Sequence, residues 1–294
     1  MERVTIFGGS GFLGSYVADE LNKREYSVLV ADIAPAQYIA KGQDYMVCDI
    51  LDPKMVKEAV AGSGVVFNFA GLTSLDQCII RPLETMQQNI LGNINIVNTL
   101  KSLPIKKYIY ASSVYAAGSD GSFYGISKMT SEKIIEEYGK RYDFPYTIVR
   151  YGSLYGERAD QNNGLYRIIE EAIQNKQITY SGDGDEVREY IHAADAAKLS
   201  VDILQDESYT GERITLTGVE KLKRSDVIKM IEEILGEEIV AKQSAKNWEG
   251  HYKVTPYSLQ SRPAKKLVPN PFIDLGQGIA SCIEEYFRHQ NDKP

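Results

Sequence analysis

The stretch Arg3-Val4-Thr5-Ile6-Phe7-Gly8-Gly9-Ser10-Gly11-Phe12-Leu13-Gly14 decides the fold of this 294-residue chain. Its first five residues read as a short buried strand, and the glycines lead straight into a helical pattern over Phe12–Arg24. Glycines at 8, 11 and 14 spell G-x-x-G-x-x-G, while 9, 11 and 14 also satisfy G-x-G-x-x-G. Either register permits a tight turn and close backbone approach, so a pyrophosphate can sit on the helix N-terminus. Gly8, Gly11, Phe12, Leu13 and Gly14 are therefore candidate cofactor contacts. The bland alternative is a plain glycine-rich turn, and the strand-before, helix-after context argues against it.

Working outward, the next strand, Ser27–Ala31, ends at Asp32, 18 residues beyond Gly14. A carboxylate there accepts hydrogen bonds from ribose hydroxyls and repels a 2′-phosphate, and no arginine follows directly. NAD is expected rather than NADP. A third strand, Tyr45–Val47, leads to Asp49 and Ile50, placed where the adenine lies in a doubly wound sheet. A fourth, Val65–Phe69, runs into Ala70 and Gly71, small enough for close cofactor approach. Ser112 and Ser113 end a fifth strand, at the edge where open α/β sheets hold ligands. Strand and helix alternate over the first 150 residues, the mark of a parallel, doubly wound α/β (Rossmann) sheet.

Tyr124-Gly125-Ile126-Ser127-Lys128 opens the helix that follows those serines. Four residues apart, Tyr124 and Lys128 share a helix face, and an ammonium there can lower a phenol's pKa. Bringing it from about 10 to near 7 takes roughly 4 kcal/mol of differential stabilisation. The spacing alone is common. Its weight comes from a serine and a nucleotide turn predicted at the same sheet edge.

The bulk composition narrows the classes. A net charge of −7 without a basic run argues against a nucleic-acid surface. Cys48, Cys78 and Cys282 are far apart, and no Cys/His cluster has metal spacing, so no metal is expected. No apolar run spans a bilayer and the N-terminus lacks signal-peptide organisation, so the expectation is a cytoplasmic protein without a membrane partner.

Taken together, Gly8–Gly14, Asp32, Ser112-Ser113, Tyr124/Lys128 and Arg150-Tyr151-Gly152-Ser153-Leu154-Tyr155-Gly156 resemble the extended short-chain dehydrogenase/reductases. They are similar, more narrowly, to the NAD-dependent epimerase/dehydratase group acting on nucleotide sugars. Gly182-Asp183-Gly184, Arg188-Glu189-Tyr190-Ile191-His192, Asp195 and Ser261-Arg262-Pro263 extend the likeness along nearly the whole chain. The resemblance implies a nucleotide-diphosphate sugar as substrate, with Tyr124 as base for a sugar hydroxyl. Lys128 would tune Tyr124 and bind the nicotinamide ribose. Ser113 would hold the reacting oxygen, chosen over Ser112 because Gly118 lies five residues beyond it. Ser153 falls at a substrate contact, and Arg188 and Arg262 look like the diphosphate arginines, suited by their fork geometry.

Departures from the pattern sharpen the expectation. Five residues separate Gly118 from Tyr124, a short rim, and Ser153 and Asn68 replace a common asparagine and histidine. The serine pair lacks the T-D-E triplet of the 4,6-dehydratases, which disfavours dehydration. The leading expectation is reversible oxidation at C4, as in a 4-epimerase. A net 4-dehydrogenase or 4-ketoreductase uses the same residues, and a non-catalytic NAD-binding Rossmann protein is the rival class. Residues 1–151, with a return segment at about 188–209, are expected to form the NAD domain. Residues 152–187 and 210–294 are expected to make mainly the smaller α/β substrate lobe. His192 is expected to be structural, and Trp248 to be packing. The family pattern further implies a homodimer pairing helices near 84–101 and 124–140.

Overall fold

The computed structural model describes residues 1–118, 120–180, 182, 184–243, 251–256 and 264–291. The strands, in chain order, are β1 (Arg3–Phe7), β2 (Ser27–Asp32), β3 (Gln43–Val47), β4 (Val65–Asn68), β5 (Lys107–Ser113), β6 (Tyr146–Tyr151) and β7 (Ser153–Tyr155). They continue with β8 (Gln177–Tyr180), β9 (Val187–Arg188), β10 (Tyr190–His192), β11 (Arg213–Leu216), β12 (Leu222–Lys223), β13 (Val240–Gln243) and β14 (Lys265–Leu267). The helices are α1 (Phe12–Lys23), α2 (Pro53–Ala59), α3 (Leu75–Ile80), α4 (Pro82–Met86), α5 (Gly92–Leu100) and α6 (Ser122–Tyr142), then α7 (Gly164–Asn175), α8 (Ala193–Gln205), α9 (Arg224–Leu235) and α10 (Leu275–Asn291).

Eight strands form one sheet in the order β14-β11-β6-β5-β4-β1-β2-β3, every pairing parallel. A parallel sheet needs helices on both faces, and the side-chain alternation of β1 shows how they are recruited. Val4 and Ile6 pack with Val17 and Leu21 of α1 and Val201 of α8. Phe7 packs on the other face with Val56, Ile96, Leu100 and Ile135, and the Thr5 hydroxyl there donates to the Ala59 carbonyl. The doubly wound α/β expectation thus describes the chain.

Two details differ from the sequence reading. Arg213–Leu216 and Lys265–Leu267, which it assigns mainly to the smaller lobe, hydrogen-bond into the large sheet beside β6. They are three- and four-residue strands, too short for periodicity to announce them. The helix expected near 84–101 is broken into α4, a π-helical turn at Gln87–Leu91 and α5. A separate core of Leu165, Ile169, Ile178, Val227, Ile231, Ile279 and Ile283 packs α7, α9 and α10 together. His192 caps α8 by accepting the Ala194 N–H, and the Asp195 carboxylate accepts the Ile273 N–H ahead of α10. Asp183, Trp248, Ser261, Arg262 and Pro263 lie outside the described residues.

Candidate active site

The C-terminal ends of the central strands open onto a cleft of about 760 Å³, within the range of cofactor and ligand sites. Its floor is the glycine turn. Gly8 has φ +75°, and a Cβ on it would stand 2.5 Å from the Ala70 nitrogen. A Cβ on Gly14 would stand 2.2 Å from the Gly8 carbonyl oxygen. Contact between Gly8 and Gly14 therefore lets α1 begin directly on the strand end, which selects the 8, 11, 14 register. Gly11 is the N-cap of α1 without a side-chain cap, and the first turn carries no acidic residue. That helix end suits an anion.

Asp32 stands beside this turn. Its Oδ2 accepts the Ser10 N–H and its Oδ1 the Ala34 N–H, both at 3.0 Å. A carboxylate has about four acceptor positions, so two remain for hydroxyl donors. Asp49, Ile50 and Ala70 also line the cleft. The Asp49 Oδ1 accepts the Leu51 N–H at 2.9 Å, and the Ile50 side chain packs where a Cβ on Gly92 would intrude.

Ser113, Tyr124 and Lys128 line the same cleft. The two serines have separate partners. Ser112 Oγ donates to Glu132 Oε1 at 2.5 Å, while Ser113 Oγ accepts the Tyr115 N–H at 3.3 Å and lies beside the Tyr124 phenol, whose pKa it lowers. Ser112 is thus committed to Glu132. Lys128 Nζ donates to the Ala111 carbonyl at 2.8 Å and lies 5.8 Å from the Tyr124 ring centre.

The electrostatics correct one expectation. Burial pushes the Tyr124 phenol up to about 12, and Ser113 beside it only partly opposes that. Burial pulls Lys128 down to about 8, against the charges of Cys78 and Glu132. Removal from water dominates at both groups, so the lowering that a lysine at this spacing can bring is not what sets the phenol here. The protein's own groups therefore leave the phenol above neutrality.

Several site residues carry no motif. Asn89, in the π-helical turn, accepts the Leu72 N–H and donates to the Leu72 carbonyl and to Ser127 Oγ, clamping the loop after β4 to α6. Such turns recur at functional sites. Glu132 lies one turn beyond Lys128, and its i+4 spacing was the available signal. Ser153 and Arg188 are not among the residues lining the cleft; Ser153 Oγ meets the Tyr252 hydroxyl at 3.2 Å and the Arg188 guanidinium lies 4.0 Å over the Tyr252 ring. Tyr115 contacts the same ring at 4.8 Å, and its hydroxyl reaches His251 Nδ1 at 3.1 Å. Tyr252 and His251 sit in a segment without regular pattern, so the sequence could not place them. Among the described residues no His/Cys/Asp/Glu group could hold a metal, and no helix is long and apolar enough to cross a membrane.

The chain resembles known proteins over its full length. It is 28% identical to a putative UDP-glucose 4-epimerase of Methanocaldococcus jannaschii, covering 95% of this chain and 97% of that one. It is 27% identical to the UDP-N-acetyl-alpha-D-glucosaminuronate decarboxylase of Bacillus cytotoxicus, covering 99% of both. Its fold matches the crystal structure of a UDP-glucose 4-epimerase of Thermotoga maritima with UDP-glucose at a TM-score of 0.86, with 22% identity, over 99% of this chain and 100% of that one. The match to a family model runs over residues 4–216, from β1 through β11, and so takes in the glycine turn, Asp32, Ser113, Tyr124 and Lys128. With that span matched and the cleft built as described, the chain belongs to the NAD dependent epimerase/dehydratase family.

Proposed function

We propose that this enzyme oxidises a nucleotide-diphosphate sugar reversibly at C4, in the manner of a 4-epimerase. The observation that carries the reading is the convergence of Ser113, Tyr124 and Lys128 on the cleft floored by Gly8 and Gly14. Those glycines leave a cradle that any side chain would fill, and Asp32 keeps acceptor capacity beside it, so the residues fit NAD. Bound NAD would supply the two-electron acceptor for the sugar carbon. The chain's own groups handle the proton. Tyr124 Oη, as the phenolate that Lys128 together with the positive charge of bound NAD would stabilise, takes it from the C4 hydroxyl while Ser113 Oγ holds that oxygen by a hydrogen bond. Lys128, with its pKa near 8, is mainly cationic at neutral pH and stabilises the phenolate charge.

The smaller lobe supplies the substrate's other end in this reading. Arg188 and Arg262 bind the diphosphate, and Ser153 meets the sugar. Val114 and Tyr115 follow Ser113, so the acid/base pair needed to eliminate water is missing from this position. The test is incubation of the purified protein with UDP-, GDP-, dTDP- and CDP-sugars. The expected result is interconversion of C4 epimers by one nucleotide sugar, abolished in Tyr124→Phe while NAD still binds. Full activity of Tyr124→Phe would remove Tyr124 as the base.

A homodimer is part of the proposal. Ile80 and Leu83 are 70% and 72% exposed, and Phe123 and Ile126 stand exposed at the start of α6, which packs on α3 and α4. Burying such a set against a second copy is the economical arrangement. Light scattering should give twice the chain mass, and Leu83→Glu should give monomers. A wild-type monomer at micromolar concentration would refute it.

A further inference from the structure

Arg158, in the loop between β7 and α7, lines the cofactor cleft although no motif marks it. Its backbone sits at φ +64°, a region arginine rarely adopts, and such conformations persist where contacts impose them. The contacts here are several. The guanidinium lies between two rings, 4.6 Å from the Tyr16 centre on α1 and 4.8 Å from the Tyr38 centre on the loop after β2. Its Nη2 bonds Asp19 at 2.8 Å and its Nη1 reaches Ser15 Oγ at 3.3 Å, both on α1. The Arg158 N–H donates to both carboxylate oxygens of Glu285 on α10, at 3.1 and 3.0 Å. The neighbouring Glu157 accepts the Tyr16 hydroxyl through its backbone and side-chain oxygens.

These contacts have a direction. Ser15, Tyr16 and Asp19 belong to the helix whose N-terminus faces the cleft, and Tyr38 belongs to the rim that carries Asp32. Arg158 reaches them from the loop after β7, several residues of which also line the cleft. One side chain therefore ties the loop after β7 to α1 and to the Tyr38 loop at the edge of the cleft.

We propose that Arg158 is a cofactor-retention residue, a clasp with Tyr16 and Tyr38 that holds NAD in place between turnovers. Release then requires the loop to lift, breaking the stacking on two rings and the Asp19 ion pair together. A retained cofactor returns its reducing equivalent to the same sugar, which favours epimerisation over net dehydrogenation or ketoreduction. The inference rests on the NAD reading of the cleft and not on the identity of the sugar.

The test uses the full chain and measures the nucleotide itself. Wild-type protein carrying NAD(H) is passed through desalting and dilution, and the nucleotide retained is quantified by absorbance and mass spectrometry. Exchange against etheno-NAD, followed by fluorescence, gives the dissociation rate. The expected result is retention by wild type and release accelerated about 10- to 100-fold in Arg158→Ala, the effect of losing two cation–π contacts and a charged hydrogen bond. Tyr38→Ala removes one ring from an external loop and should accelerate release in the same direction, with circular dichroism unchanged. Rapid loss of NAD from wild type, or wild-type exchange rates in both variants, overturns the clasp. Retained NAD with no sugar converted would instead strike the substrate reading and leave the clasp standing.

Discussion

Arg150 and Glu132 form a bidentate ion pair in the interior, Nε to Oε1 at 2.8 Å and Nη2 to Oε2 at 2.6 Å, with side chains 5% and 2% exposed. Arg150 is on β6 and Glu132 on α6, so the pair pins the helix carrying Tyr124 and Lys128 to the sheet. Glu132 also accepts the Ser112 hydroxyl, which ties β5 into the same point.

Breaking that pair leaves a buried charge without its counter-ion, at a cost of about 3–5 kcal/mol. Glu132→Gln should therefore lower stability by that order in urea or thermal unfolding. Replacing Glu132 and Arg150 together with apolar residues of similar volume should recover much of it. A Glu132→Gln protein as stable as wild type would show that the pair contributes little.

Lys128 carries a pH prediction whose sign follows from its depressed pKa. The folded protein loses this proton near pH 8, while the unfolded chain keeps it to about 10.4. The unfolded state thus binds more protons between those values, so this group's contribution to stability rises with pH across the window. Below pH 8 the buried ammonium is a standing penalty. Lys128→Met should be more stable than wild type at pH 7 and inactive, with the gap in unfolding free energy narrowing between pH 8 and 10. A gap that widens over that range would contradict the assignment.

Asp32 holds the glycine turn through Ser10 and keeps acceptor positions for hydroxyl donors. Asp32→Ala should weaken NAD by about 10- to 100-fold, the value of charge-assisted hydrogen bonds of roughly 1.5–3 kcal/mol. NADP should suffer less, because the repelling charge is gone. Titration calorimetry with both dinucleotides measures the two effects, and equal losses would count against the ribose contact.

The parallel sheet was legible because short-range pattern dictates it. Apolar runs at β1, β2, β4 and β5, with helical periods after β1, β4 and β5, specify buried strands with helices on both faces. The short β11 and β14 carried no such pattern, and their place beside β6 depends on an edge that only the folded sheet offers. In the site, the glycine turn and the tyrosine–lysine pair were readable from spacing, since each lies within one local element.

By itself, then, the sequence determined the αβ alternation, the glycine turn ahead of α1 and the helix face shared by Tyr124 and Lys128. These are consequences of periods of two and 3.6 residues and of missing Cβ atoms. Tertiary structure alone decided the partner of Ser112, which is Glu132, 20 residues away. It placed Arg158 over Asp19 and Ser15 from 139 and 143 residues away. It also reversed the expected shift of Tyr124, since desolvation depends on everything packed around a group, whereas spacing reports one neighbour.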